Sequence, residues 1–291
     1  MNPIPATTQI NHESTLYAEP VASVHGFPIT NSLITSWVAV LVIVLLSLAL
    51  RAKMKKVPGK LQHFFEVVLE GGLNLADQVT GSRKITGKVF PIAISIFFFV
   101  LINNWLGILP LGALGVLHPA AGGSYDFVPF LRSGTADINT TMALAVVAVI
   151  GSNIFGILVI GIWKTFNKYV NLGALASIAK KVRKEPTVLL VAPVMFFVGL
   201  LELIGEVAKI ASLSFRLFGN VFAGEVLLAS MSVLLAYGLP IPFLFLEIMV
   251  GLIQALIFAM LTLVYFSIAS QDHDEPHEHA ENEGFHEHMP A

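Results

Sequence analysis

The architecture of this chain is decided by residues 188–238, VLLVAPVMFFVGLLELIGEVAKIASLSFRLFGNVFAGEVLLASMSVLLAYG. A helix needs only about 20 apolar residues to cross the hydrocarbon core of a bilayer, which is about 30 Å thick. At about 1.5 Å per residue, a helix of this length would reach about 75 Å, so the stretch must be strongly tilted, bent or folded back on itself. We predict a long, tilted helix that pairs with the last hydrophobic segment. Residues 238–242 (GLPIP) form the predicted turn, where Pro240 and Pro242 interrupt helical hydrogen bonding.

The composition places the whole chain in a membrane. Of its 291 residues, 55% are hydrophobic and only 12% are charged, whereas soluble domains carry about 25% charged residues. The predicted fold class is therefore an all-α integral membrane protein with about five transmembrane helices. The absence of cysteine excludes disulfides, thiolate metal sites and cysteine nucleophiles. The spans are expected at residues 33–50, 89–111, 138–163, 188–238 and 241–269.

One further helix is expected outside these spans. Residues 60–81 carry apolar side chains at roughly helical spacing, interrupted by acidic residues, and basic clusters flank both ends. If this segment crossed the membrane, it would put those clusters on opposite sides. An amphipathic helix lying in the interface fits the pattern better.

The basic residues also predict the topology, because cytoplasmic loops are enriched in lysine and arginine. Fourteen of the 17 basic residues surround the surface helix or lie between the third and fourth spans, whereas the loop 112–137 holds only Arg132. We expect residues 1–32 to form an extracytoplasmic N-terminal segment and residues 33–270 to form the membrane domain. Residues 271–291 are expected to be a disordered, acidic and histidine-rich cytoplasmic tail, with metal or proton buffering as the alternative.

Two basic residues, Lys209 and Arg216, lie inside the long stretch. A central arginine costs at least ~2.5–3.5 kcal/mol on insertion scales, and its guanidinium cannot shed its proton. By default such a residue faces a pathway; the alternative is that Arg216 pairs with a carboxylate or caps a broken helix. Small and polar side chains share its helix face, which allows another helix surface to approach closely. The members of this stripe are Glu202, Gly205, Lys209, Ser212, Gly219, Asn220 and Ala223.

Further polar residues lie on other faces. Glu225 follows Arg216 by nine residues and so faces the opposite side of the helix, while Glu247 and Gln254 share one face of the last span. A tilted helix pair would bring Glu225 and Glu247 to similar depth near the outer side, with Gln254 closer to the level of Arg216. Intramembrane carboxylates form proton relays in pumps and transporters. The residues alone therefore indicate an ion or proton pathway with two polar halves separated by a fixed positive charge.

The stretch SLSFRLFGNVFAGE (212–225) resembles the signature of the subunit a family of the F-type ATP synthase, the stator half of its proton channel. LIQALIFAMLTLVYFSIAS (252–270) resembles the last helix of that family, and the likeness extends to NNWLGILP (103–110). The resemblance implies that Arg216 favours the ionised form of a carboxylate on a rotating ring and blocks a direct proton leak. Glu225 and Glu247 would line the outer inlet, although some family members carry histidine at the second position.

The same resemblance implies roles for the remaining polar residues and for partners. Glu202 matches the cytoplasmic exit, Asn220 and Gln254 match polar positions near the arginine, and Lys209 and Ser212 on the stripe complete the candidate translocation residues. The expected partners are the subunits of the c-ring, the b subunit of the peripheral stalk, the F1 head through that stalk, and the lipid bilayer. No nucleic acid, cofactor or metal is expected. The expected location is a bacterial plasma (inner) membrane, with the N-terminus outside.

An enzymatic role is not expected, because the chain contains no GxxxxGK[ST] phosphate loop. Two other functions remain open. A stand-alone ion-coupled secondary transporter would use Arg216 to bind a substrate anion, although such proteins usually carry internal repeats and five crossings fit that plan poorly. A structural membrane scaffold would use its polar residues only to hold helices together.

Overall fold

The computed structural model describes residues 10–11, 15–55, 59–109, 115–119, 125–163, 165, 188–235, 238 and 240–270. The tail 271–291 and most of the basic segment between the third and fourth spans lie outside the described residues. The helices within the described part are α1 (Asn31–Lys53), α2 (Lys60–Thr80), α3 (Arg83–Ile108), α4 (Ile138–Ile160), α5 (Val188–Leu234) and α6 (Pro240–Ala269). The strands are β1 (Ile10–Asn11), β2 (Pro20–Val24), β3 (Phe27–Thr30), β4 (Gly115–Pro119) and β5 (Tyr125–Pro129).

The predicted all-α membrane architecture is confirmed. Within the described residues, five helices are long and apolar enough to cross a membrane, namely α1, α3, α4, α5 and α6. The second of them begins earlier than predicted, at Arg83 instead of residue 89, and ends at Ile108. Its first turn is basic and polar but still helical. A hydrophobic run shows which residues lie in the hydrocarbon core, whereas the helix can continue beyond that core.

The long fourth span is one uninterrupted helix that pairs with the last span. α5 has 47 residues, which at about 1.5 Å per residue is about 70 Å, more than twice the thickness of a hydrocarbon core. The predicted turn at 238–242 is wrong in its extent, because α6 already begins at Pro240. Pro240 and Pro242 therefore lie in the first turn of α6, where backbone N–H groups have no partner within the helix. Gly238, with φ of +110°, supplies the backbone conformation between the helices.

Within the described residues, five short strands gather at one end of the bundle, which the sequence did not predict. β2 and β3 form an antiparallel hairpin whose turn residues, His25 and Gly26, both have positive φ, as a two-residue hairpin turn requires. β1 pairs in parallel with β5, and β5 pairs with β4. The N-terminal segment and the loop between α3 and α4 therefore lie on the same side of the membrane domain.

The core lies where α3, α4, α5 and α6 meet. Small residues such as Ala145 and Ala255 are fully buried there and let the helices approach closely. A buried hydrogen bond of 3.1 Å joins the hydroxyl groups of Thr141 on α4 and Ser214 on α5. α2 packs against α3 and α6, and the ring of Phe90 lies over Gly72. The face of α5 that holds Ser214 is thus fixed by packing, which determines where its other faces point.

Candidate functional site

A cavity of about 400 Å³ opens at the end of the bundle that carries the strands. It lies between the end of α3, the segment after β5, α5 and α6. Glu225 on α5 and Glu247 on α6 both line it. The structure therefore brings together the two carboxylates that the sequence placed on separate spans. Its further polar lining is Asn104, Arg132, Ser133 and Ser232.

Arg132, in the segment after β5, is the main partner of Glu225. Its Nε donates to Oε1 and Oε2 of Glu225 at 2.9 and 3.1 Å, and its Nη2 donates to Oε2 at 2.9 Å. The side chain of Arg132 is only 5% exposed, against 29% for Glu225. Sequence reasoning missed this ion pair because it assigned Arg132 to an outer loop. The one available signal was that Arg132 is the only basic residue in that loop.

Glu247 lies deeper than Glu225 and is only 8% exposed. Its carboxylate packs directly on Gly224, where the three atoms nearest to an added Cβ would all belong to the carboxyl group of Glu247. Among the residues that the structure describes, Glu247 has no hydrogen bond or ion pair. A buried, ionised carboxylate without a partner is costly, and Glu247 lines a cavity that is large enough to admit water.

A hydrogen-bonded frame holds the inner wall of the cavity. Asn104 on α3 donates from Nδ2 to the carbonyl of Gly251 on α6 at 3.1 Å, and its Oδ1 accepts from the hydroxyl of Thr135 at 2.5 Å. The hydroxyl of Ser133 lies 2.8 Å from that of Thr135. Trp105 donates from Nε1 to the carbonyl of Ile248 at 3.3 Å. Asn104 and Trp105 of the second span therefore hold α6 within one turn of Glu247.

The face of α5 that carries Arg216 is open. Arg216, Ser212 and Asn220 are exposed, whereas Leu213 and Leu217 on the adjoining face are buried. A Cβ added at Gly219 would have no neighbour within 4 Å. Among the described residues, Arg216 forms no hydrogen bond or ion pair, so the alternative that it pairs with a carboxylate finds no support there. The cap alternative also fails, because Arg216 lies inside the unbroken α5.

A second polar cluster lies nearer the other end of α5. Lys209 donates from Nζ to Oε1 of Glu206 at 2.7 Å, and Asn153 on α4 donates to Oε2 of Glu206 at 3.1 Å. The ammonium group of Lys209 also lies 5.5 Å from the ring centroid of Tyr265 on α6, within range of a cation–π interaction. Glu202, the predicted exit residue, is half-buried one turn further on. Gln254 is half-buried on α6.

These features define a class of protein: a multi-pass helical membrane protein with a carboxylate-lined cavity, a second polar cluster and an exposed cationic helix face between them. The model of the ATP synthase A chain family matches residues 33–267, which is most of the chain and includes nearly all residues of the five spanning helices that the structure describes. The chain belongs to the ATP synthase A chain family.

Curated relatives agree with this assignment. The chain is 35% identical over 253 residues to the ATP synthase subunit a of Mycobacterium bovis, covering 85% of this chain and 90% of that protein. It is 32% identical over 275 residues to that of Gloeobacter violaceus, with 94% and 96% covered. It is also 32% identical over 237 residues to that of Syntrophobacter fumaroxidans, with 80% and 81% covered. The likeness thus extends over 81% to 96% of the length of these relatives.

Proposed function

We propose that this chain is the proton-translocating stator subunit of a rotary F-type ATP synthase, with two offset half-channels separated by Arg216. One observation carries the proposal. Along α5, Arg216 lies nine residues from Glu225 and ten residues from Glu206, or about 14 and 15 Å. This cation, which has no ion pair among the described residues, thus lies midway along α5 between two polar sites, and Glu225 faces the opposite side of the helix.

The exposed Arg216 face requires a partner. A permanently charged guanidinium without a counter-ion is costly in a membrane, and this face carries no neighbour over Gly219. A membrane-embedded carboxylate on a rotating ring of small subunits supplies the opposite charge. The small side chains around Arg216 let the ring approach closely, with Asn220 and Ser212 flanking the arginine by one turn on each side.

Protons enter through the cavity that Glu225 and Glu247 line and pass to a ring carboxylate. Arg216 favours the ionised form of the carboxylate that faces it, because a nearby positive charge stabilises the anion. It also repels a proton that would cross directly from one half-channel to the other. After the ring has turned, the proton leaves through the second polar cluster, past Lys209 and Glu206 and then Glu202, with Gln254 lining the route beside the arginine.

The membrane potential can supply the energy for ATP synthesis by partner subunits. Moving one elementary charge through a membrane potential yields about 2.3 kcal/mol per 100 mV, so several protons are needed for each ATP. The chain itself is non-catalytic in this proposal. It would work with the c-ring, the b subunit of the peripheral stalk and, through that stalk, the F1 head, in a bacterial plasma membrane with the cavity facing outward.

The decisive experiment replaces Arg216 in a complete complex reconstituted into vesicles. With Arg216→Ala, ATP-driven acidification of the vesicles should be lost while the soluble head still hydrolyses ATP. Arg51→Ala, at an exposed arginine near the end of α1, is the matched control and should pump normally. Pumping at the normal rate with Arg216→Ala would refute the proposal, and solute uptake by the purified chain alone would favour a transporter.

A second test addresses the inlet. The double variant Glu225→Gln with Glu247→Gln should slow proton flux through the membrane part, measured as dye quenching in vesicles from which the soluble head has been removed. Unchanged flux would remove both carboxylates from the inlet.

A further inference from the structure

Arg132 makes more contacts than an ordinary surface arginine. Besides the three hydrogen bonds to Glu225, its Nη2 donates to the carbonyl of Thr15 at 2.7 Å. Its Nη1 donates to the hydroxyl of Thr15 at 3.3 Å and to the carbonyl of Tyr17 at 3.1 Å. A guanidinium has five N–H donors, and each of the three nitrogens of Arg132 is engaged. One buried cation therefore joins the N-terminal segment, the loop after β5 and α5.

The two carboxylates of the cavity differ in their partners. Glu225 accepts three hydrogen bonds from Arg132, and such bidentate, charge-assisted contacts are among the strongest in proteins. Glu247 is more deeply buried and has no hydrogen bond or ion pair within the described part of the chain. From α3, the frame residue Asn104 brings an uncharged amide to the cavity. Among the described residues, the charged side chains that line the cavity are thus Arg132 from the loop, Glu225 from α5 and Glu247 from α6.

We propose that Arg132 is a positioning residue for proton entry: it holds Glu225 as a fixed counter-ion and leaves Glu247 as the carboxyl group that exchanges protons with the water of the cavity. The inference rests on the proposed function and deepens it, because it assigns different roles to the two inlet carboxylates. Arg132 cannot lose its proton, so it needs a permanent anion. Glu225 meets that need and does not carry protons itself.

This division of roles makes a specific prediction about charge. Removing either member of a buried ion pair leaves the other uncompensated, whereas replacing both members with neutral groups removes the unpaired charge. An unpaired carboxylate at Glu225 would compete with Glu247 for the entering proton. An unpaired guanidinium at Arg132 would instead repel that proton from the mouth of the cavity. Each single substitution should therefore slow entry, and the double substitution should relieve both defects.

The experiment measures proton flux in vesicles that carry the membrane part of the complex without the soluble head, driven by a potassium diffusion potential. Arg132→Gln and Glu225→Gln should each slow the flux by about tenfold or more, which corresponds to about 1.4 kcal/mol on the barrier to proton entry. The double variant Arg132→Gln with Glu225→Gln should be several times faster than either single variant. Arg132→Lys, which keeps the charge, should be faster than Arg132→Gln. Glu247→Gln should be slow, and adding Arg132→Gln should not rescue it.

Co-purification of the ring with each variant controls for folding. If Arg132→Gln does not assemble, recovery of assembly in the double variant tests the same coupling. A double variant that is no faster and assembles no better than Arg132→Gln would overturn the proposal, because Arg132 would then act independently of Glu225. That result differs from failure of the proposed function, in which Glu247→Gln would leave flux unchanged and Arg216→Ala would leave ATP-driven pumping in the complete complex unchanged.

Discussion

Gly224 lies beneath the carboxylate that is proposed to accept protons, so a single methyl group at this position tests the geometry of the inlet. A Cβ built at Gly224 would overlap both carboxylate oxygens and the carboxyl carbon of Glu247. The mutation Gly224→Ala changes neither charge nor hydrogen-bonding capacity. At normal assembly of the complex, a change in proton flux is therefore expected to act through the position of Glu247, which supplies the three atoms nearest to the added methyl group.

The size of the effect follows from the overlap. Non-bonded heavy atoms separate to about 3.5 Å, so the carboxylate of Glu247 must move by about 1.5 Å or rotate away from α5. Overpacking of this kind costs about 1–3 kcal/mol of stability, partly offset by the roughly 1 kcal/mol that alanine gains over glycine within a helix. A displacement of about 1 Å can slow a reaction by about a hundredfold, so we expect proton flux to fall between about tenfold and a hundredfold.

The assay is proton flux in vesicles without the soluble head, with the amount of assembled complex determined in parallel. Gly71→Ala is the matched control, because Gly71 is an exposed glycine inside α2 with no atom within 4 Å of an added Cβ. It should leave flux unchanged. Normal flux in Gly224→Ala, at normal assembly, would show that the position of Glu247 does not limit proton entry and would refute the reasoning.

Three further predictions test the remaining surfaces. Ser232 lines the cavity, which is proposed to hold water. A cysteine introduced by Ser232→Cys should therefore react with a membrane-impermeant thiol reagent at least about tenfold faster than one introduced by Ser230→Cys. Both serines donate to the carbonyl four residues earlier, so equal labelling would argue against a water path. Gly219→Ala should weaken binding of the ring, measured by co-purification, without destabilising the isolated chain. Unchanged binding would indicate that the ring does not contact the Arg216 face at Gly219. Lys209→Met should lower the unfolding free energy of the solubilised chain by roughly 1–3 kcal/mol, since it removes the charged hydrogen bond to Glu206. Lys209→Arg should largely preserve that free energy. Equal losses in both variants would contradict a stabilising role for the charge of Lys209.

Local patterns in the sequence were sufficient for the membrane architecture. A hydrophobic run long enough to cross a bilayer predicts its own helix, because the backbone must satisfy its hydrogen bonds internally in lipid. The stripe around Arg216 was equally predictable, since residues on one helix face are fixed by a period of about 3.6 residues. The polar first turn of α3 shows the limit of this reasoning, because helix ends are set by capping and packing as well as by hydrophobicity.

Contacts between distant parts of the chain required the tertiary structure. Arg132 and Glu225 are 93 residues apart, and nothing in the local pattern around either residue indicates the other. The packing of Glu247 on Gly224 depends on how α5 and α6 lie against each other, and the frame around Asn104 depends on the register of α3 with α6. By itself, the sequence determined the class of protein, its spans and the face of its central arginine. Only the tertiary structure decided which of the two carboxylates pairs with Arg132, because side-chain partners follow from the packing of helices and not from their periodicity.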